Sequence, residues 1–275
     1  MTSDAMQEIS KGERFAFGAN WGRFLNALSD DRITKAEDSL RRTLGLERLD
    51  GLSFLDAGSG SGLFSLAARR LGASVVSFDF DPQSVACTLE LRRRFFPDDA
   101  NWQVEQGSVL ESDYLARLGQ FDVVYSWGVL HHTGAMWQAL ENVVPLVRGG
   151  GRLYIAIYND QGYKSRRWVR IKRLYNQRKW LRPILLAYGL VQAWAVTTVL
   201  DFYHLRPFAS WRAYVKERGM SPWRDVVDWI GGWPFEVASP EAIFRFYHER
   251  GFILQELVTR QGLGCNEFVF IKQTE

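Results

Sequence analysis

Apolar residues fall into two rhythms along this 275-residue chain. Short apolar runs predict buried strands at 52–56, at 74–78 closing on Asp79, and at 102–106, 121–126 and 152–158. Between them, apolar positions three and four apart predict helices from residue 63 to about Leu71, from Pro82 to about Phe96, and over about 136–147. Strands alternating with helices imply an α/β fold. Gly149-Gly150-Gly151 is expected to end the third of these helices. Much later, Ser239-Pro240-Glu241 caps a helix that runs to about Arg250. A strand opens at Gly251-Phe252, and a last one covers 266–271.

Residues 159–238 separate the fifth strand from that capped helix, a span of 80 residues. A structureless loop of such length is uncommon in a compact domain, and this stretch has helical periodicity, so it reads as a helical substrate lid. Its first part, 164–182, is a basic helix with Trp168, Ile171 and Tyr175 on one face and Arg166, Arg170 and Arg173 on another. Its second part, 183–200, has 18 residues without a charge, close to the lower limit for a membrane span. Tyr188, Gly189, Gln192, Thr197 and Thr198 weaken a span, so this part reads as a buried lid helix or dimer contact, with an interfacial helix as the alternative. The third part, 211–235, carries Trp211, Trp223, Trp229 and Trp233, which either wall a pocket or bury a small satellite core.

Residues 1–50 read as an N-terminal helical cover. A polar stretch gives way to Phe15-Ala16-Phe17-Gly18-Ala19-Asn20-Trp21, and a helical pattern runs from Phe24 to about Leu46. Either these aromatics pack on the sheet, or they form a flap in which Phe17, Asn20 and Trp21 touch substrate.

Composition narrows the class. An apolar share of 47% suits a sizeable core. Cys87 and Cys265 are far apart, which excludes a disulfide scaffold or a cysteine-ligated metal, and no metal site is expected. The first residues lack an apolar core, so no secretory signal is expected and the cytoplasm is the default, with a membrane-peripheral position as the variant. The formal net charge of +3 hides an asymmetry. Nine of the 34 basic residues and no acid fall between Lys164 and Arg182, which leaves 25 to face all 31 acidic residues. An anionic partner should meet that segment.

The chemistry concentrates on Phe54-Leu55-Asp56-Ala57-Gly58-Ser59-Gly60-Ser61-Gly62. Glycines lack a Cβ and can take positive φ, two of these three among them, so a ligand can lie directly on the backbone. The helix that follows should turn free N–H groups toward it. The spacing is not the dinucleotide pattern, and a carboxylate just ahead of the loop repels a pyrophosphate and suits a cationic amine. At the end of the second strand, Asp79 can accept from both hydroxyls of a ribose. Asp81 and Pro82 read as a helix cap.

In these residues the chain resembles the class I S-adenosylmethionine-dependent methyltransferases, whose first motif is (D/E)-x-G-x-G-x-G. The resemblance implies a seven-stranded Rossmann-like sheet with an antiparallel last strand, formed by 51–158 and 239–275, with the helical lid 159–238 inserted after strand five. It implies S-adenosyl-L-methionine as cofactor, its amino-acid end held by Asp56, Gly58, Ser59, Gly60 and Gly62 and its ribose by Asp79. Phe80 would flank the adenine. The family often has an Asp where this chain has Ser108, so Ser108 or the backbone of Val109 would meet the adenine amino group. Ser126 and Trp127, at the tip of the fourth strand, would face the methyl group. His131 and His132 follow that tip, and at most one of them is expected to act as a base titrating near pH 7. Tyr158 would orient substrate.

The chain is most similar to small-molecule members of the class, those acting on quinone precursors, sugars or lipids. The expected reaction is therefore O-methylation of a small or lipid-linked metabolite. The fourth strand does not read (N/D/S)-P-P-(Y/F), which counts against amide or adenine N-methylation. An RNA or protein methyltransferase is the alternative enzyme, but basic residues confined to one segment count against nucleic acid. A non-catalytic cofactor-binding partner protein is the third reading. Peripheral membrane contact through the basic and apolar insert, and a homodimer, stay open.

Overall fold

A computed structural model describes residues 7–8, 10–15, 18, 25, 28–218 and 222–274, with the side chains of 215–218, 222 and 224 left aside. Phe17, Asn20 and Trp21 lie outside the described residues. Helix α1 (Asp30–Leu44) precedes β1 (Ser53–Ala57), α2 (Leu63–Arg70), β2 (Ser74–Asp79), α3 (Pro82–Phe95) and β3 (Trp102–Gln106). Then come α4 (Ser112–Leu118), β4 (Phe121–Trp127), a single 3-10 turn at Leu130–His132, α5 (Met136–Val143) and β5 (Val147–Tyr158). The insert contributes α6 (Tyr163–Gln177), a 3-10 turn at Lys179–Leu181, α7 (Arg182–Tyr203), α8 (Ala209–Arg218) and α9 (Pro222–Gly231). Helix α10 (Pro240–His248) and the hairpin β6 (Phe252–Val258) and β7 (Cys265–Lys272) complete the chain.

The seven strands form one sheet in the order β3-β2-β1-β4-β5-β7-β6. The first five are parallel to one another, and β7 runs antiparallel to both β5 and β6. The order reverses between β1 and β4, and a ligand crevice opens at the carboxyl ends of strands at such a point. One apolar layer on the sheet centres on Leu55, Val124, Leu140, Ile155 and Phe270, and the other on Leu40, Phe54, Leu66, Trp102 and Val123. A third, smaller core holds Trp168, Tyr175, Trp194, Val226, Ile230 and Phe235 of the insert, with Tyr158 against it.

Three local expectations change. Helix α5 stops at Val143, and the glycines 149–151 belong to β5. They sit where the β4–β5 register slips between Phe121 and Val123. A Cβ on Gly151 would meet the carbonyls of Arg148, Asp122 and Phe121 at 2.9–3.1 Å, so the irregularity needs glycine. Helix α4 lies between β3 and β4, where the apolar pattern drew no helix.

The third change concerns α7, for which a buried lid helix is one expectation beside a dimer contact or an interfacial helix. It is largely uncovered, with only Gly189, Trp194 and Asp201 buried. Its sequence is apolar nearly all round, so periodicity alone could not show which side would be covered. The basic stretch also breaks at Arg178, with α6 on one side and the 3-10 turn on the other.

Candidate active site

A cavity of about 860 Å³ opens at the carboxyl ends of the parallel strands. The Asp56–Gly62 loop forms one end. Gly58, Gly60 and Gly62 all hold positive φ, at 89°, 55° and 79°. A Cβ on Gly58 would strike the Val129 methyls at 2.4 Å, and one on Gly62 would strike the Thr88 backbone at 2.9 Å. Gly58 and Gly60 line the cavity, whereas Gly62 lets α2 approach α3 and does not line it.

The loop spends its donors internally. The N–H groups of Gly58 and Ser59 donate to Phe78 O at 2.8 and 3.0 Å, and that of Gly62 donates to Ser59 O at 2.8 Å. Gly60 N–H donates to Asp79 Oδ2 at 2.9 Å. The expected free N–H groups are therefore few. The loop serves a ligand chiefly as a smooth surface without side chains, and the carboxylates supply the polar contacts.

Two carboxylates are built in firmly. Trp102 Nε1–H donates to Ser77 Oγ at 3.0 Å, Ser77 to Ser65 Oγ at 2.8 Å, and Ser65 to Asp56 Oδ2 at 2.5 Å. This buried relay crosses from β3 through β2 and α2 to β1 and fixes the Asp56 carboxylate. Burial nevertheless pushes the Asp56 acid up to about 7, with the Ser65 bond pulling the other way. Asp79 accepts from Gly60 N–H through Oδ2 and from Asp81 N–H through Oδ1, both at 2.9 Å. It thus ties the glycine loop to the turn after β2. Burial raises Asp79 to about 6 against those two bonds. Asp81 caps α3 by accepting from Gln83 N–H, and its other oxygen accepts from Gly18 N–H at 2.9 Å. Gly18 is therefore tied to the turn after β2.

Further along the cavity lie Phe80, Ser108 and Val109. The Arg14 guanidinium sits 4.6 Å from the Phe80 ring centre and donates to His132 O at 3.0 Å. Ser108 Oγ accepts from Leu110 N–H at 3.2 Å. Trp127 lines the cavity and is exposed, whereas Ser126 is fully buried, donates to Ala57 O at 2.7 Å and does not line it.

The two histidines part company. His132 lines the cavity, and its Nδ1 lies 2.5 Å from Pro234 O. A carbonyl only accepts, so Nδ1 carries the hydrogen and Nε2 is the basic nitrogen of the ring. His131 is fully buried behind the wall, its ring centre 4.1 Å from that of Tyr158 and 4.5 Å from that of His132. Neither titrates near neutrality. Burial takes His132 down to about 3 and His131 well below the usual imidazole range, and the Lys172 charge pushes both the same way. Tyr158 lines the cavity and packs against Phe235 and Trp229 with ring centres at 5.0 and 5.7 Å.

Several further residues line the cavity; of these only Trp229 was marked in the sequence, as one of four tryptophans that could wall a pocket. From α9 come Asp225, Asp228 and Trp229, spaced so that one helical face presents all three, while Val226 and Ile230 bury the opposite side. Arg260, Leu263 and Gly264 come from the β6–β7 connection, Cys265 from the start of β7, and Arg14 and Phe15 from the N-terminal segment. Phe15 N–H donates to Trp233 O at 3.0 Å, which ties that segment to the insert. Behind Trp229 lies Lys172, buried, donating to Trp229 O and stacked over the Trp229 and Phe235 rings at 4.1 and 4.6 Å. Burial lowers Lys172 to about 7.

Comparison with known proteins agrees with this geometry. A family described as "Methyltransferase domain" matches residues 55–153. The ubiquinone biosynthesis O-methyltransferase of Rhizobium etli (strain CIAT 652) is 29% identical over 175 residues, covering 58% of this chain and 68% of its own length. That of Azorhizobium caulinodans is 31% identical over 174 residues, covering 58% and 66%. This chain thus spans about two thirds of these relatives. In fold, it is similar to the magnesium protoporphyrin IX methyltransferase of Synechocystis PCC 6803 with bound SAH, with a TM-score of 0.52 and 15% identity over 88% of this chain and 83% of that one.

Proposed function

We propose, for a chain that belongs to the class I S-adenosylmethionine-dependent methyltransferases, that the methyl acceptor is a hydroxyl of a small or lipid-linked metabolite. The carrying observation is that one cavity runs from the Asp56 and Asp79 carboxylates past Trp127 to a chamber walled by His132, Tyr158, Asp228 and Trp229. A cavity of this size and lining suits a cofactor end to end with a small acceptor. The relatives named as ubiquinone O-methyltransferases support oxygen as the accepting atom.

The residues fit the cofactor. Gly58 and Gly60 line the cavity without side chains, and Asp79 keeps lone pairs for ribose hydroxyls beyond its two backbone bonds. Asp56 places a carboxylate for an ammonium group. When bound, S-adenosylmethionine supplies an electrophilic methyl group open to in-line attack. The chain's own part is to align the acceptor and exclude water. His132 is uncharged at physiological pH, and its Nε2 can accept a hydrogen bond from a hydroxyl and turn an oxygen lone pair toward the methyl group. A ring held down to about 3 orients a hydroxyl and does not store its proton. Trp229 and Tyr158 offer flat walls to a ring or a prenyl-like chain.

The lining charge counts against RNA. Five aspartates, at 56, 79, 81, 225 and 228, face two arginines, at 14 and 260, and such a surface repels a phosphate backbone. Asp225 and Asp228 favour one second reading, an amine acceptor. The free thiols Cys87 and Cys265 support a reducing, cytoplasmic setting. Isolating the product made with carbon-13-labelled cofactor and recording its methyl shift tests the reading. A methyl ether signal is expected, an N-methyl signal selects the amine, and a methyl ester, S-methyl or C-methyl signal overturns both.

A further inference from the structure

The insert carries a surface that the reaction does not use. On α7, Ile184, Val191, Val196 and Val199 are between 62% and 74% exposed. They recur at helical spacing and form an apolar stripe that nothing covers among the described residues. The 25-residue stretch Lys179–Tyr203 is long and apolar enough to cross a membrane. The packing argues against crossing. Trp194 meets Trp211 and Tyr214 of α8 with ring centres at 5.1 and 5.0 Å, and Gly189 lies directly against Ile230 of α9. One face of α7 is thus fastened to the body that holds the active site, and the chain returns to that body at both ends. A spanning helix would have to break these contacts.

The charges beside the stripe point to what covers it. Arg166, Arg170, Arg173 and Lys179 are exposed and form no ion pair among the described residues. Three arginines, 166, 167 and 170, rim a small surface hollow of about 260 Å³ floored by Ile171 and Leu174. Both ends of α7 carry an exposed aromatic next to basic residues, Trp180 beside Lys179 at the start and Tyr203 before Arg206 at the end. Aromatic rings and cations at the two ends of an apolar helix mark the water–lipid boundary.

We propose that α6 and α7 together dock this enzyme on an anionic membrane surface, with α7 lying in the interface plane and the α6 arginines on lipid phosphates. The inference goes beyond the acceptor assignment and stands on the surface alone. It gives the insert a second use, because α9, which walls the acceptor chamber, is packed on the same helix. Docking would therefore set the chamber at the membrane.

The test is flotation of the full chain with vesicles, scored by bound protein and not by activity. Vesicles of phosphatidylcholine holding roughly 30% phosphatidylglycerol present an anionic surface comparable to a cytoplasmic leaflet. Strong binding to these at low salt is expected, with little to phosphatidylcholine alone. Val191→Asp with Val199→Asp, and separately Arg166→Gln with Arg170→Gln and Arg173→Gln, should each cut binding at least about tenfold. Unchanged cofactor affinity shows that the variants are folded. Absence of binding to either vesicle overturns the proposal. So does equal binding to both. If the double aspartate variant instead turns a dimer into a monomer while vesicle binding is unaffected, the face belongs to a second copy and the proposal also fails.

Discussion

At the scale of the residue, Asp79 does more than its position at the end of a strand implies. Its two oxygens already hold Gly60 and Asp81 by their N–H groups. Asp79→Asn must turn an amide NH₂ toward one of those donors, so it damages the loop as well as the ribose contact. Cofactor affinity by calorimetry should fall at least about tenfold, the weight of one or two hydrogen bonds to a charged group. The acid forms matter too. Burial raises Asp79 to about 6 and Asp56 to about 7. Both lie above the unfolded value of 3.8, so without ligand the folded state loses stability as pH rises from about 4 to 7. Cofactor binding runs the other way, because it uses the ionised forms. Affinity should tighten as pH rises through 6–7 and level off above, and a flat profile between pH 5 and 9 would contradict this. His132→Ala should lower kcat by about a hundredfold while cofactor affinity holds, the cost of a misplaced acceptor. At saturating cofactor the wild-type kcat profile should show no limb from this ring near 6.5, since it is uncharged above about 3. Lys172 gives the opposite sign from the carboxylates. Its folded value of about 7 lies below the unfolded 10.5, so the unfolded chain binds more protons between those values and stability rises with pH there. Lys172→Met should raise the urea midpoint at pH 7 and lose that gain as pH approaches 10. Asp56 and Asp79 were legible because a carboxylate at a strand end is a positional signal. Lys172 was not, among eight other cations, although its spacing of four from Trp168 and three from Tyr175 put it on their buried face.

At the scale of the element, the central parallel strands β1 and β4 were readable because they are buried on both sides and largely apolar, whereas the edge strand β3 showed as an alternation. The glycine triplet misled because a glycine run looks alike whether it ends a helix or kinks a strand, and only the partner strand decides. Helix α7 was readable as a helix and not as an exposed one, since burial is set by what packs against it. The contact that fixes it is Gly189, where a Cβ would come within 2.2 Å of Ile230. Gly189→Val should push α7 off α9 and shift Asp225, Asp228 and Trp229 in the chamber. The KM for the acceptor should rise while cofactor affinity stays within about twofold, because the loop end of the cavity is built from other elements. Equal loss of both affinities would show that the insert unfolds as a whole.

At the scale of the molecule, the division of labour follows the sheet. In the proposed reading, the switch point between β1 and β4 takes the cofactor end, and the insert after β5 walls the acceptor end. The cofactor half was legible since its residues lie within one motif and its neighbours, from Asp56 to Trp127. The acceptor half was legible only in part, at His132, Tyr158 and Trp229, because its other walls come from remote stretches: Arg14, the aspartates of the helix at 222–231 and residues 260–265. No spacing rule links residues that far apart, and only the fold brings them together. Charge is divided in the same way, with aspartates inside the cavity and, outside on α6, arginines that form no ion pair among the described residues. The central claim is transfer from S-adenosylmethionine to a small or lipid-linked acceptor. Its most direct test supplies methyl-labelled cofactor and a whole-cell extract to the wild type and to Asp79→Asn, then follows the label. Label in organic-soluble or filterable aqueous material, made by the wild type and largely lost in the variant, is the expected result. Label recovered in acid-precipitated protein or RNA, or no transfer by a wild type that binds the cofactor, would contradict the claim.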